Sequence, residues 1–293
     1  MGGVGKTALS VVLAHRLKDR YPDAQLFLNL RGADPDHRPP VPPADAMQFI
    51  IHSFRPEARL PESVDELTSI YHSVLTASGR TLLVLDNAAD AAQVRPLVPP
   101  RNCLLLVTSR QQFQVPGMVS RNLDCLSPSE SHALLLKLAQ RLEDHADRAA
   151  ELCGYLPPAL EVFAGTVTTK RLYPVSELLE RLRARQDKLL PVEAAFQVSY
   201  ELLAEDLRRQ WVQLSVFPAS FDLQAAAELW GKDADATRES MQTLVYSSVV
   251  AWNESNGRFR LHDLVKQFCE RRLSETDADV ARVRHAKHYT VAR

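Results

Sequence analysis

Gly2-Gly3-Val4-Gly5-Lys6-Thr7 is the stretch of this 293-residue chain whose residue types and spacing could do chemistry most directly. Small residues let successive backbone N–H groups turn toward an anion. A lysine can then reach the β- and γ-phosphates of a nucleotide, and the next hydroxyl can hold Mg²⁺. The helix-like run that follows would aim the positive end of its dipole at the same place. The full phosphate-loop pattern starts with a glycine separated from Gly5 by four residues, a position ahead of Met1, as is the strand that normally delivers such a loop. On these residues alone, a flexible glycine-rich terminus is the competing reading.

Two further stretches place polar groups where such a loop needs them. Thr81-Leu82-Leu83-Val84-Leu85-Asp86 predicts a buried parallel strand with an acid at its C-terminal edge. Ligands of open α/β sheets collect at that edge, so Asp86 is placed to hold Mg²⁺, directly or through water, opposite the hydroxyl of Thr7. Without the loop, Asp86-Asn87 would read as a turn. A third strand, 103–108, runs into Ser109-Arg110, and Arg110 could reach a terminal phosphate and report its presence. A solvated surface arginine is the alternative.

The elements that must carry these groups follow in order. Residues 7–20 predict a helix whose Ala8, Leu9, Val11, Val12, Leu13 and Leu17 suit packing on a sheet. A strand is expected at 25–30, an exposed proline- and charge-rich loop at 33–43, and helices at 44–54 and 63–78, the second opening with Ser63 and Glu66 at capping-box spacing. Residues 121–126 could add a last strand. Beyond Ser127 the chain reads as helical: 131–142, 146–153, a rigid Pro157-Pro158 entry to a helix ending near 168, and 176–190. From 192 to about 273 the expected order is helices at 194–203, 206–216, 223–230 and 237–247, then a hairpin of 249–252 and 258–261 through Asn256-Gly257, and a closing helix from His262. Helices followed by such a hairpin make a winged-helix unit. The tail, 277–293, predicts one more helix.

Composition excludes several classes. Hydrophobic residues make up 45% and charged residues 24%, with a net charge of −1 and a pI near 6.8. Nothing global therefore attracts nucleic acid or an anionic membrane. No apolar run approaches the roughly 18 residues of a spanning helix, no secretory signal opens the chain, and a cytoplasmic protein is expected. Cys103, Cys125, Cys153 and Cys269 are too scattered for a zinc motif or a disulfide framework, and read as small buried hydrophobes.

Together, Gly2-Gly3-Val4-Gly5-Lys6-Thr7, Leu82-Leu83-Val84-Leu85-Asp86-Asn87, Thr108-Ser109-Arg110, Leu156-Pro157-Pro158-Ala159-Leu160 and Leu261-His262-Asp263 stand in the order and spacing of the NB-ARC family. The chain thus resembles the nucleotide-switch core of STAND-type signal-transduction ATPases. Leu28-Asn29-Leu30-Arg31-Gly32 and the Leu-Asp-Asn form of the acidic strand are most similar to bacterial members, notably SARP-type transcription regulators. The resemblance implies an α/β P-loop NTPase domain with a parallel sheet lacking its first strand (1–126), an all-α helical domain (127–190), a winged-helix domain (191–275), and a helix leading toward a sensor region (276–293). ADP or ATP with Mg²⁺ is the implied ligand. Lys6 and the loop amides of Gly2, Gly3, Val4 and Gly5 would bind phosphates, Thr7 and Asp86 the Mg²⁺, and Arg110 would sense the γ-phosphate. Pro157 would pack near the adenine, and His262 would contact the β-phosphate of ADP and latch a closed state. Read alone, His262 is an ordinary helix-start residue.

Departures from the family pattern shape the expectation. Tyr155 and Pro158 stand where glycine and leucine are usual, so the adenine side should be reshaped. Asn87 replaces a frequent second acid, and an amide can orient water but cannot accept its proton, so hydrolysis should be slow or absent. Without the first strand, either the natural protein starts upstream of Met1 or this is a fragment or degenerate copy. The leading expectation is a nucleotide-dependent switch that self-associates on activation and answers to effector and sensor domains outside this chain. The alternatives are a pseudo-ATPase scaffold and a DNA-binding winged-helix regulator. Charge argues against direct DNA binding: residues 191–275 hold nine Lys and Arg against thirteen Asp and Glu, and the recognition-helix stretch 237–247 offers only Arg238.

Overall fold

The computed structural model of the chain describes residues 2–32, 38–274, 278–284 and 286. Its contacts gather into two units, Met1–Leu123 and Asp124–Arg293. In the first, the described residues form a parallel three-stranded sheet in the order β1 (Ala24–Asn29), β2 (Thr81–Ala88), β3 (Leu104–Ser109). β1 and β2 run in register from Ala24 opposite Thr81 to Asn29 opposite Asp86. The central strand is buried along nearly its whole length, as its continuous apolar run requires.

Alternation along β2 splits its side chains between two faces. Leu83 and Leu85 enter a core with Met47, Ile50 and Ile51 of α2 (Pro43–Phe54) and Leu67, Tyr71 and Leu75 of α3 (Val64–Ala77). Leu82 and Val84 turn to the opposite face, where α1 (Lys6–Leu17) meets β2 and β3. Ser63 caps α3 by accepting from the Glu66 amide at 3.5 Å. A short α4 (Ala91–Val94) follows β2, capped by Asp90.

Several expectations require correction. The apolar residues of α1 were expected to pack on the sheet, yet Leu9 and Val12 are 45% and 46% exposed, and Ser10 is the residue the helix buries. α1 meets β2 and β3, and the side of the helix that carries Leu9 and Val12 is left uncovered by the described residues. Phe27 of β1 is likewise half-exposed. Residues 121–126 form no strand; their backbone has no ladder partner among the described residues, and the Leu126 N–H donates instead to the Tyr155 carbonyl at 3.1 Å. Cys153 and Cys269 are fully buried, whereas Cys103 and Cys125 are only partly so. Of the expected loop, 33–37 lie outside the described residues, as do 277, 285 and 287–293 of the expected tail helix; 278–284 are helical.

The second unit opens with α5 (Pro128–Leu138), closed at its N-terminus by a full capping box between Ser127 and Glu130. After α6 (Ala146–Leu152), α7 (Pro157–Thr169) is buried along most of its length, and α8 (Val175–Gln186) packs on α6. α9 (Pro191–Leu202) packs on both α7 and α8. The winged-helix elements follow: α10 (Glu205–Gln213), α11 (Leu223–Trp230), α12 (Ala234–Tyr246), the antiparallel hairpin of β4 (Ala251–Asn253) and β5 (Arg258–Arg260), and α13 (Asp263–Glu270). Phe221 adds a bridge to Phe259, which the sequence did not indicate. An aromatic cluster of Phe196, Tyr200, Trp211 and Phe268 ties α9, α10 and α13 together. At Gly165 of α7 a Cβ would sit 2.6 Å from the Ser247 backbone, so only glycine permits this approach to the end of α12.

Candidate phosphate-binding site

The glycine-rich stretch folds as its composition demands. Gly3 and Gly5 adopt φ of 80° and 94°, left-handed values that turn successive N–H groups to one side. Gly5 is the N-cap of α1, with no side chain closing the helix end and no acid in its first turn. The first amides of α1 are therefore not satisfied by a cap, and no nearby carboxylate on the helix opposes an arriving anion.

Lys6 and Thr7 open α1, next to the end of the acidic strand. Thr7 Oγ1 donates to Asp86 Oδ1 at 2.8 Å across 79 residues of sequence. Asp86 is buried, and Thr108 Oγ1 of β3 donates to the same carboxylate oxygen at 2.6 Å while accepting from the Asn87 amide at 2.9 Å. Asn87 takes a left-handed φ of 58°, and the β2–β3 register shifts between Leu85 and Ala88. The strand thus bulges where its polar residues begin, which re-aims them. Burial holds the Lys6 ammonium below the ordinary lysine pKa; Arg110 pushes the same way and Asp86 pulls against them. Lys6, Arg110 and Asp86 are therefore electrostatic neighbours. The structure brings together the loop, Lys6, Thr7, Asp86, Asn87 and Arg110.

The β1–α2 connection is fastened to this edge. The Leu30 and Gly32 amides donate to the Asp86 and Asn87 carbonyls at 2.8 and 2.6 Å. At Gly32 a Cβ would lie 2.2 Å from the Ala89 nitrogen, so the close approach excludes any side chain. Gln93 of α4 donates to the Leu30 and Val41 carbonyls at 2.9 and 2.8 Å and accepts from the Ala89 amide at 2.8 Å. Thr108 and Gln93 are the site residues that pattern reading passed over. Thr108 was visible only as the first letter of Thr-Ser-Arg, and Gln93 carried no signal.

This donor set suits Mg²⁺ bound with a nucleotide. Among the described residues no cluster of three or more His, Cys, Asp or Glu could cage an ion by itself. A hydroxyl and one carboxylate that already touch, beside a lysine and open loop amides, are what a hard cation shared with phosphate oxygens requires. Pro157 and His262 belong to the second unit. Pro157 is the first residue of α7, and His262 caps α13 by accepting from the Leu264 amide at 3.2 Å.

Comparisons with known proteins bear on the family and the fold. The family model described as a winged helix-turn-helix domain matches residues 197–274. Regulatory protein AfsR of Streptomyces coelicolor is 34% identical over 95% of this chain and 29% of its own length; a putative disease resistance RPP13-like protein 2 of Arabidopsis thaliana is 24% identical over 94% and 36%. The solved STAND protein with a tetratricopeptide repeat sensor from Pyrococcus horikoshii superposes with a TM-score of 0.65 over 99% of this chain and 42% of its own, at 13% identity. Over nearly its whole length the chain is similar to NB-ARC regulators, and it has the fold of a STAND protein. It spans about 29% of the length of the S. coelicolor relative. On α12 of the winged helix, Met241 and Leu244 are buried, and Arg238 pairs with Asp235 at 2.5 Å. No described helix is long and apolar enough to cross a membrane.

Proposed function

We propose that this chain is the adenine-nucleotide-binding core of a regulatory protein, holding ADP or ATP with Mg²⁺ at the loop of residues 2–7 and turning it over slowly or not at all. The observation that carries the reading is the 2.8 Å bond from Thr7 to Asp86 beside Lys6, because it sets both cation-binding groups against the phosphate-binding loop. Lys6 and the amides of Gly2, Gly3, Val4 and Gly5 take the phosphates. Arg110, close enough to Lys6 to lower its pKa, answers to the terminal phosphate. Asn87 orients water without accepting its proton, which limits hydrolysis. Pro157 at the adenine and His262 at the ADP β-phosphate enter from the family resemblance. Differential affinity for ADP and ATP would drive the change of state and self-association, with effector and sensor elements supplied outside this chain. The regulatory role rests on the AfsR relatives.

Calorimetric titration of the 293-residue chain with ADP and ATP in Mg²⁺ tests the reading. Saturable binding that Lys6→Ala abolishes supports it; absence of binding would sink it and leave a scaffold of NB-ARC shape. DNA mobility shifts at moderate salt should show no complex, since α12 lacks the cationic face that phosphate neutralisation needs.

A further inference from the structure

We propose that a recess in the second unit, between α9, α10 and the end of α13, binds a small diphosphate-bearing anion. The recess measures about 340 Å³, near the lower limit of small-ligand pockets. Arg208 and Arg209 of α10 and Arg272 after α13 line it, with Tyr200 of α9 between them and Glu205 as its one carboxylate.

Two of these guanidinium groups are fixed before any ligand arrives. Arg208 donates to the Leu203 and Glu201 carbonyls at 2.8 and 2.6 Å. Arg272 donates to the Phe268 carbonyl at 3.1 Å and to the Gln197 side chain. Both lie against Tyr200, 5.6 and 5.7 Å from its ring centre, and Arg272 also covers Phe268 at 3.5 Å. Every one of these acceptors is neutral. Among the described residues none of the three arginines is in an ion pair, and Arg209 has no hydrogen-bond partner at all. Burial depresses the Arg272 pKa, and its neighbours only partly offset that loss of solvation.

Charge and shape then name the ligand class. Three guanidinium groups against one carboxylate leave an excess of two positive charges, which a diphosphate matches better than a single carboxylate. The N–H groups that these bonds leave over sit on guanidinium planes already held in place, so they can meet phosphate oxygens with little further loss of ordering entropy. Arg209, exposed and at the rim, would close over the anion. Glu205 would weaken binding by repulsion. This recess belongs to the second unit, whereas the loop at residues 2–7 belongs to the first.

The probe is inorganic pyrophosphate, titrated calorimetrically into the full chain carrying Lys6→Ala so that the first-unit loop does not contribute. One equivalent should bind. Adding Arg209→Gln should weaken binding about tenfold or more, and Glu205→Gln should tighten it. Both positions are exposed, so matching circular dichroism spectra will show that the fold is kept. No binding, binding indifferent to Arg209→Gln, or tighter binding of an oligoglutamate peptide than of pyrophosphate would each overturn the proposal.

Discussion

Thr108 Oγ1 lies 2.6 Å from Asp86 Oδ1 and shares that carboxylate oxygen with Thr7. Two hydroxyls from different elements therefore hold one buried acid in a single orientation. Replacing Thr108 by valine keeps the branched shape and removes both the donor to Asp86 and the acceptor for the Asn87 amide. Mg²⁺-dependent ADP affinity should fall about tenfold, whereas Thr108→Ser should retain most of it. Titrations with and without Mg²⁺ check this, and an equal loss in both would contradict a role through the metal.

Lys6 makes two pH slopes of opposite sign. Its folded pKa lies below the unfolded value of 10.5, so between the two the unfolded chain binds more protons and stability rises with pH. A bound phosphate would raise the Lys6 pKa, so nucleotide affinity should fall over that same rise. Thermal melts and calorimetry across the alkaline range would show both, and Lys6→Met should flatten both.

Tyr71 is fully buried, and its hydroxyl donates to the Leu97 carbonyl at 2.8 Å. Tyr71→Phe leaves that carbonyl unpaired and should cost about 1–3 kcal/mol in urea unfolding. Burial also pushes the phenol pKa well up. Its contribution is whole below the ordinary phenol value of 10.0 and is lost as pH climbs beyond it, a decline that Tyr71→Phe should reduce.

His262 can be separated into two roles. His262→Ala removes the cap on α13 and should cost about 1 kcal/mol, while His262→Asn supplies an alternative cap. If asparagine restores the melting temperature but not ADP affinity, the imidazole is needed for nucleotide. Recovery of both would reduce His262 to a capping residue.

What could be read from the sequence was whatever depends on local chemistry. The Leu82–Leu85 run could only be a buried strand, the Ser127–Glu130 spacing could only favour a helix start, and Asn256-Gly257 marked the wing. What could not be read depended on partners far along the chain. Leu9 and Val12 look like core residues, yet both lie on a side of α1 that the described residues leave uncovered. Gln93 was invisible because its three bonds go to Leu30, Val41 and Ala89, positions that nothing in a linear pattern connects. Thr108 was passed over for the more conspicuous arginine two residues on.

α9 carries a consequence for dissecting the protein. It lies against α7 and α8 along one side and delivers Phe196 and Tyr200 to the aromatic cluster on the other. The matched winged-helix region starts at residue 197, partway along that helix. A fragment cut there would keep Tyr200 and lose Phe196, and one cut at Pro191 would bare the side of α9 that α7 and α8 cover. The winged helix is therefore not a detachable module in this chain: the smallest piece expected to melt in one calorimetric transition includes the bundle from α5 onward.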